Sequence, residues 1–175
     1  MQNYKTKLVD SSRMIADIMT ADILDNQERF DEMFGLALLD EYPISMRAAR
    51  ITEMCVSRYK HLIKPHINEI VDIIDKSKLE GVRRSFLKIL AENPQLLNEE
   101  LQGRIVDQAF AYIDNQKEAI SIRAYSIDII FSLLKNYPEL KNELIYILEA
   151  MTRDASVGLR TKSKKILAIL KRPYY

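Results

Sequence analysis

Apolar residues recur at steps of three and four along nearly the whole chain, and that spacing predicts amphipathic helices. Residues 1–10 are polar and are expected to be loose. From Ser11 or Ser12, either one a fitting N-cap, Met14, Ile15, Ile18, Met19 and Ile23 mark a short helix suited to closing the open end of a stack. The next helix is capped by Asn26 and carries Phe30, Met33, Phe34, Ala37 and Leu38 on one side, until Tyr42-Pro43 stops it. Its successor carries Ile44, Ala48, Ile51 and Cys55, which puts Cys55 on the core stripe. Pro65 is well placed as a first helical residue ahead of Ile67, Ile70, Val71 and Ile74. The partner helix begins near Gly81, buries Val82, Phe86, Ile89 and Leu90, and ends at Asn93-Pro94. Two further pairs are predicted over 98–114 with 117–136 and over 139–152 with 156–171, and Pro173 cannot continue the last helix, so 172–175 should fray.

The second helix of each pair opens on one motif written four times. Ser45-Met46-Arg47, Gly81-Val82-Arg83, Ser121-Ile122-Arg123 and Gly158-Leu159-Arg160 each join a small residue, an apolar residue and an arginine. Another apolar residue follows seven places later, at Met54, Leu90, Ile130 and Leu167. The arginines step by 36, 40 and 37 residues, and a period in this range carried by helices marks a stacked helical repeat. A second signature agrees. The linkers Asn93-Pro94-Gln95-Leu96-Leu97-Asn98-Glu99 and Tyr137-Pro138-Glu139-Leu140-Lys141-Asn142-Glu143 share proline, leucine and Asn-Glu at equal offsets, which is turn chemistry followed by a helix start.

Only four glycines and five prolines occur, each proline where a helical pattern ends or begins, so the fold class is all-α. The net charge of +1 gives no global pull toward nucleic acid or a membrane. A single cysteine, Cys55, rules out an internal disulfide and fits a reducing compartment. The start lacks the apolar core of a signal peptide, and no run of eighteen apolar residues is present to span a bilayer, so a cytoplasmic protein is expected.

Helix pairs of this length, with an apolar residue and arginine opening the second helix, resemble HEAT repeats. The resemblance covers about residues 25–172. It divides the chain, read as a single repeat domain over 1–175, into an N-terminal cap (1–24) and four repeats (25–60, 61–92, 93–136 and 137–172). In that family an aspartate six positions before the arginine usually joins an arginine ladder. Here Asp154 stands six before Arg160 and Glu41 six before Arg47, whereas Ser77 precedes Arg83 and Lys117 precedes Arg123. The resemblance implies a right-handed α-α superhelix whose concave face is lined by the second helices, and which binds protein in most relatives and nucleic acid in some. It implies no reaction.

Charge is divided by helix. The first helices are acidic, with Asp25, Glu28, Asp31, Glu32 and Asp40 against Arg29 in the first pair, and Glu99, Glu100, Asp107 and Asp114 against Arg104 in the third. The second helices are basic, and the last of them carries Arg160, Lys162, Lys164, Lys165, Lys171 and Arg172 with no acid. A basic layer of this kind suits phosphates or an acidic partner. The competing reading pairs these cations with acids of neighbouring helices.

Candidate chemistry is otherwise sparse. His61 and His66 are separated by Pro65 and cannot share a helix face as metal ligands, no glycine-rich phosphate loop is present, and Cys55 reads as packed core. Tyr59 and Tyr125 lie beside basic residues and offer rings for stacking, although a half-buried ring with a wet hydroxyl is the commoner role. No cofactor, metal or catalytic residue is expected. The chain reads as a binding or scaffold module for a partner protein on the second-helix face, marked by Arg47, Arg83, Arg84, Arg123 and Arg160. The alternative is a nucleic-acid binder resembling the DNA-alkylation-repair glycosylases of HEAT-like fold, with Arg84, Arg160, Lys162, Lys164 and Lys165 on backbone phosphate. The chain is short for that group and has no tryptophan to line a base pocket. An enzyme such as a HEAT-repeat chromophore lyase finds no residue to point to.

Overall fold

A computed structural model describes residues 3–172; of the fraying expected over 172–175, Arg172 is described, in a bend just past the last helix, and 173–175 lie outside the described residues. Among the described residues the regular structure is helical throughout: α1 (Tyr4–Lys7), α2 (Arg13–Ile23), α3 (Gln27–Leu38), α4 (Ile44–Arg58), α5 (Ile67–Lys76), α6 (Glu80–Glu92), α7 (Glu99–Asp114), α8 (Ile120–Leu133), α9 (Lys141–Asp154) and α10 (Val157–Leu170). The two matched proline linkers adopt the same structure, single 3₁₀ turns at Pro94–Leu96 and Pro138–Leu140. Caps fall where the sequence places them at Ser12, Asn26 and Asn98. The second proline linker differs: Asn142, the match of Asn98, lies inside α9, and the helix start at Leu140 has no side-chain cap. Ser12, Asn26, Asn98 and Ser156 each accept a hydrogen bond from the backbone N–H three residues on, satisfying a donor that the helix leaves unpaired.

The chain forms two compact units, one ending at Leu96 and the other beginning at Leu97. In the first, α3 packs on α4, α4 on α6, and α2 on α4. The predicted stripes are buried: Phe30, Met33, Phe34 and Ala37 from α3; Ala48, Ile51 and Cys55 from α4; Ile67, Ile70, Val71 and Ile74 from α5; Val82, Phe86, Ile89 and Leu90 from α6. Phe34 and Phe86 meet with ring centroids 5.7 Å apart, joining α3 to α6. In the second unit α7 packs on α8 and α9 on α10, with α8 touching α9 and α10 as well. α8 is apolar nearly all round (Ile120, Ile122, Ile127, Ile129, Ile130, Leu133), as suits a helix with neighbours on several sides.

Three expectations need correction. Of the segment 1–10 expected to be loose, residues 1 and 2 lie outside the described residues and 3–10 are anchored: Tyr4 and Leu8 are buried, the Tyr4 amide donates to Glu32 Oε1 (3.1 Å), and its hydroxyl donates to Asp22 Oδ2 (2.5 Å). The local sequence is polar, but one aromatic ring and one leucine suffice to anchor it. The buried face of α2 is also turned. Met14 and Ile18 are 67% and 50% exposed, and α2 instead buries Ala16, Met19, Thr20 and Ile23. Small residues at 16 and 20 let α2 approach α4 closely, with the Thr20 hydroxyl satisfied by the Ala16 carbonyl (2.7 Å). Finally, Pro65 does not open a helix. It lies inside a 3₁₀ segment (Lys60–His66), and α5 starts at Ile67.

Candidate partner-binding surface on the second helices

The small residue ahead of each arginine has different work in different repeats. Ser45 is buried and staples the α3–α4 turn, its hydroxyl donating to the Leu36 carbonyl (2.8 Å) and accepting from the Glu41 amide (3.0 Å). Gly81 is small because α4 lies against it: a Cβ there would stand 3.0 Å from both Cγ and Cε of Met46. That close approach sets α6 beside α4 one turn before Arg84.

The arginines so positioned do not form a ladder with the acids six residues earlier. Glu41 accepts from Lys5 (2.7 Å), while Arg47 sends Nε to Ser11 Oγ (3.2 Å) and Nη1 to the Leu8 carbonyl (2.6 Å). Arg50 Nη1 donates to the Ser11 carbonyl (2.8 Å). Arg47 and Arg50 therefore strap the extended segment 8–12 onto α4, and Asp10 in that strap is held below the usual carboxylate range by the Ser12 hydroxyl and amide and, more weakly, by Arg47. Arg123 Nε donates to the Ile113 carbonyl, across the turn of its own repeat (3.1 Å). Between the first two repeats the turn contact is instead Ser77 Oγ to Asp40 Oδ1 (2.5 Å). A carbonyl offers these guanidinium groups a partner at lower desolvation cost than a second buried charge, so the stack is held without the ladder.

The second-helix cations fall into two groups. Lys88 on α6 pairs with Glu53 on α4, and Lys162 on α10 pairs with Asp128 on α8; in each unit the later helix sends a lysine back to an acid of the earlier one. Lys171 pairs with Glu149 (2.6 Å). Against these, Arg84, Lys164 and Lys165 are exposed, and among the described residues their side chains have no ion-pair or hydrogen-bond partner. Arg83 and Arg160 are half-buried. Arg84, Arg47 and Arg50 line one cleft of about 100 Å³ with Asp10, Ser11 and Ser12, whereas Arg160, Lys164 and Lys165 belong to the second unit.

Two histidine contacts, to Asp31 and Asp25, have no local signal in the sequence. His66 Nε2 lies 2.7 Å from Asp31 Oδ1 and the ring packs 4.4 Å from that of Phe34, while Nδ1 lies 3.3 Å from Glu69 Oε2, the one-turn spacing that is visible in the sequence. His61 Nε2 lies 2.7 Å from Asp25 Oδ1. Each histidine thus ties the 3₁₀ segment to acids of the preceding helix pair, and only the repeat period, with partners about one repeat apart, hints at it. Among the described residues no group of three His, Cys, Asp or Glu side chains is arranged to hold a metal ion, and no helix is long and apolar enough to cross a membrane. Cys55 is buried as expected. Burial pushes its thiol up to about 12, despite the opposing Thr20 hydroxyl, so it is a packing group with little nucleophilic thiolate.

No curated protein and no solved structure matches the chain. A family profile described as HEAT repeat domain matches residues 5–170, which takes in the strap, all four arginine motifs and both proline linkers. The chain belongs to the HEAT repeat domain family.

Proposed function

We propose that this protein is a non-catalytic scaffold that recognises a partner protein on the exposed surface of its second helices. HEAT repeats are in general protein-interaction scaffolds. The observation that carries the reading here is the division of the cations. Lys88 braces α6 against α4 and Lys162 braces α10 against α8, so within each unit the second helices form a fixed surface, on which Arg84 in the first unit and Lys164 and Lys165 in the second stay uncommitted. A rigid surface with unpaired charge loses little entropy on binding and favours a partner of opposite charge.

The nucleic-acid reading draws on α10, where Arg160, Lys164 and Lys165 face no acid of their own helix. It is the weaker one, because Lys88 and Lys162 are already neutralised and the basic run along α4 and α6 is broken at Glu53.

Photo-crosslinking tests the scaffold reading. A benzophenone amino acid replaces the exposed Arg58 or Lys164 on second helices, or the exposed Glu28 or Asp107 on first helices, in the living source cell. Discrete protein adducts from positions 58 or 164 and none from 28 or 107 are expected. Adducts only from the first helices would contradict the reading.

A further inference from the structure

The cleft between the N-terminal strap and the start of α4 and α6 holds more positive charge than the fold uses. Its walls are Arg47, Arg50 and Arg84, with Asp10 as the one acid among the lining residues. Nearby Asp17 is taken up by Arg13, whose Nε lies 2.9 Å from its carboxylate. Three guanidinium groups facing one carboxylate leave an excess of about two positive charges. That excess matches a phosphate monoester, which carries about −1.5 to −2 at neutral pH, better than it matches a carboxylate.

The donors are already aimed. Arg47 uses Nε and Nη1 on the strap and Arg50 uses Nη1, so each keeps further N–H groups, and the strap bonds hold both guanidinium planes in place. Arg84, set beside them by the close approach at Gly81, keeps its whole fork. A cleft of about 100 Å³ has room for one tetrahedral anion.

The surroundings choose the kind of molecule. A nucleic acid needs a row of cations to follow successive phosphates. Here the next cation along α6, Lys88, is engaged by Glu53, with Glu92 at 3.9 Å, so the positive patch ends after one site. An isolated site for a single phosphoryl group suits a phosphorylated side chain on a protein.

We propose that Arg47, Arg50 and Arg84 form a recognition site for one phosphorylated side chain of a partner protein, beside the strap of residues 8–12. This rests on the scaffold reading above and names the partner chemistry at one part of that surface.

The test follows the arginine Nε–H resonances by NMR in the full chain. Two probes are titrated at constant ionic strength: a hexapeptide of alanines with one phosphoserine, and the same peptide with serine. The phosphoserine peptide should give saturable shifts at Arg47 and Arg84, and the serine peptide none. Arg84→Gln, an exposed change that leaves the core intact, should weaken binding at least about tenfold, in the range of one lost charge-assisted bidentate pair. Lys135→Gln, at an exposed cation outside the site, should leave it unchanged. Equal weakening by both variants would mean diffuse attraction and would overturn the site, as would absence of shifts with the phosphoserine peptide. Displacement of that peptide by single-stranded DNA, with a steep salt dependence, would overturn it in favour of nucleic acid. Failure here with crosslinks from position 58 persisting in phosphatase-treated extract would remove this site and leave the scaffold reading standing.

Discussion

Lys162 on α10 donates to Asp128 Oδ2 on α8, a residue 34 positions earlier, and the pair is only 25% and 35% exposed. In the other unit Lys88 makes the equivalent contact with Glu53, 35 positions earlier. A helix count of charge places both lysines on a basic surface. Their geometry makes them braces between neighbouring second helices.

The brace has a measurable strength. Lys162→Met should lower stability by about 1–2 kcal/mol, more than a fully exposed pair, because it leaves the Asp128 carboxylate half-buried without its partner. The charge-swapped double variant Lys162→Asp, Asp128→Lys should recover about half or more of the loss seen in either single swap, as judged by urea denaturation. Additive losses would show that the two residues do not interact.

The N-terminal anchor gives a second prediction. Tyr4→Phe keeps the buried ring but removes the donor to Asp22, and should cost about 1–2 kcal/mol. The tyrosine is held neutral, mainly by desolvation and then by Asp22, which raises its pKa strongly. Its contribution is therefore fully present below the ordinary tyrosine value of 10.0 and is lost as pH rises above it. The wild-type chain should lose stability in that alkaline range, and Tyr4→Phe should lose less. Thermal denaturation against pH reads both.

Asp10 gives the opposite sign. Its pKa is depressed, first by the Ser12 hydroxyl, so the strap's share of stability is present above 3.8 and is lost as pH falls below that value. Amide exchange at Ser12, whose N–H donates to Asp10 Oδ1 at 2.7 Å, should accelerate in acid before the buried amides of α4 do. Simultaneous exchange of the two would mean that the strap does not open independently.

Much of this fold was legible because its signals are local. The arginine motif announces each second helix, the two Pro-x-Leu linkers announce matching turns, and Asn26 and Asn98 cap the helices they precede, although the equivalent Asn142 does not. What was hidden depends on residues far apart. Tyr4 sits in a polar tetrapeptide whose anchors are 18 and 28 residues away. The buried face of α2 is hidden because large residues dominate an apolar stripe while small ones allow close approach: Ala16 and Thr20 pack where Met14 and Ile18 do not. Of the arginine and lysine set read from sequence, Arg47 and Arg123 bond to backbone carbonyls and Lys162 to Asp128, while Arg84, Lys164 and Lys165 remain open to solvent. Counting charges along helices cannot separate these groups, since the neutralising partner always lies on another helix or in a turn.

The most direct test of protein against nucleic-acid recognition is fluorescence anisotropy with a labelled mixed-sequence DNA duplex and a labelled single-stranded RNA, at low and near-physiological salt. With Lys88 and Lys162 spent on their braces, neither probe should bind saturably at near-physiological salt. Saturable binding with a steep salt slope, abolished when Lys162, Lys164 and Lys165 are changed to glutamate in a chain that still folds, would contradict the account.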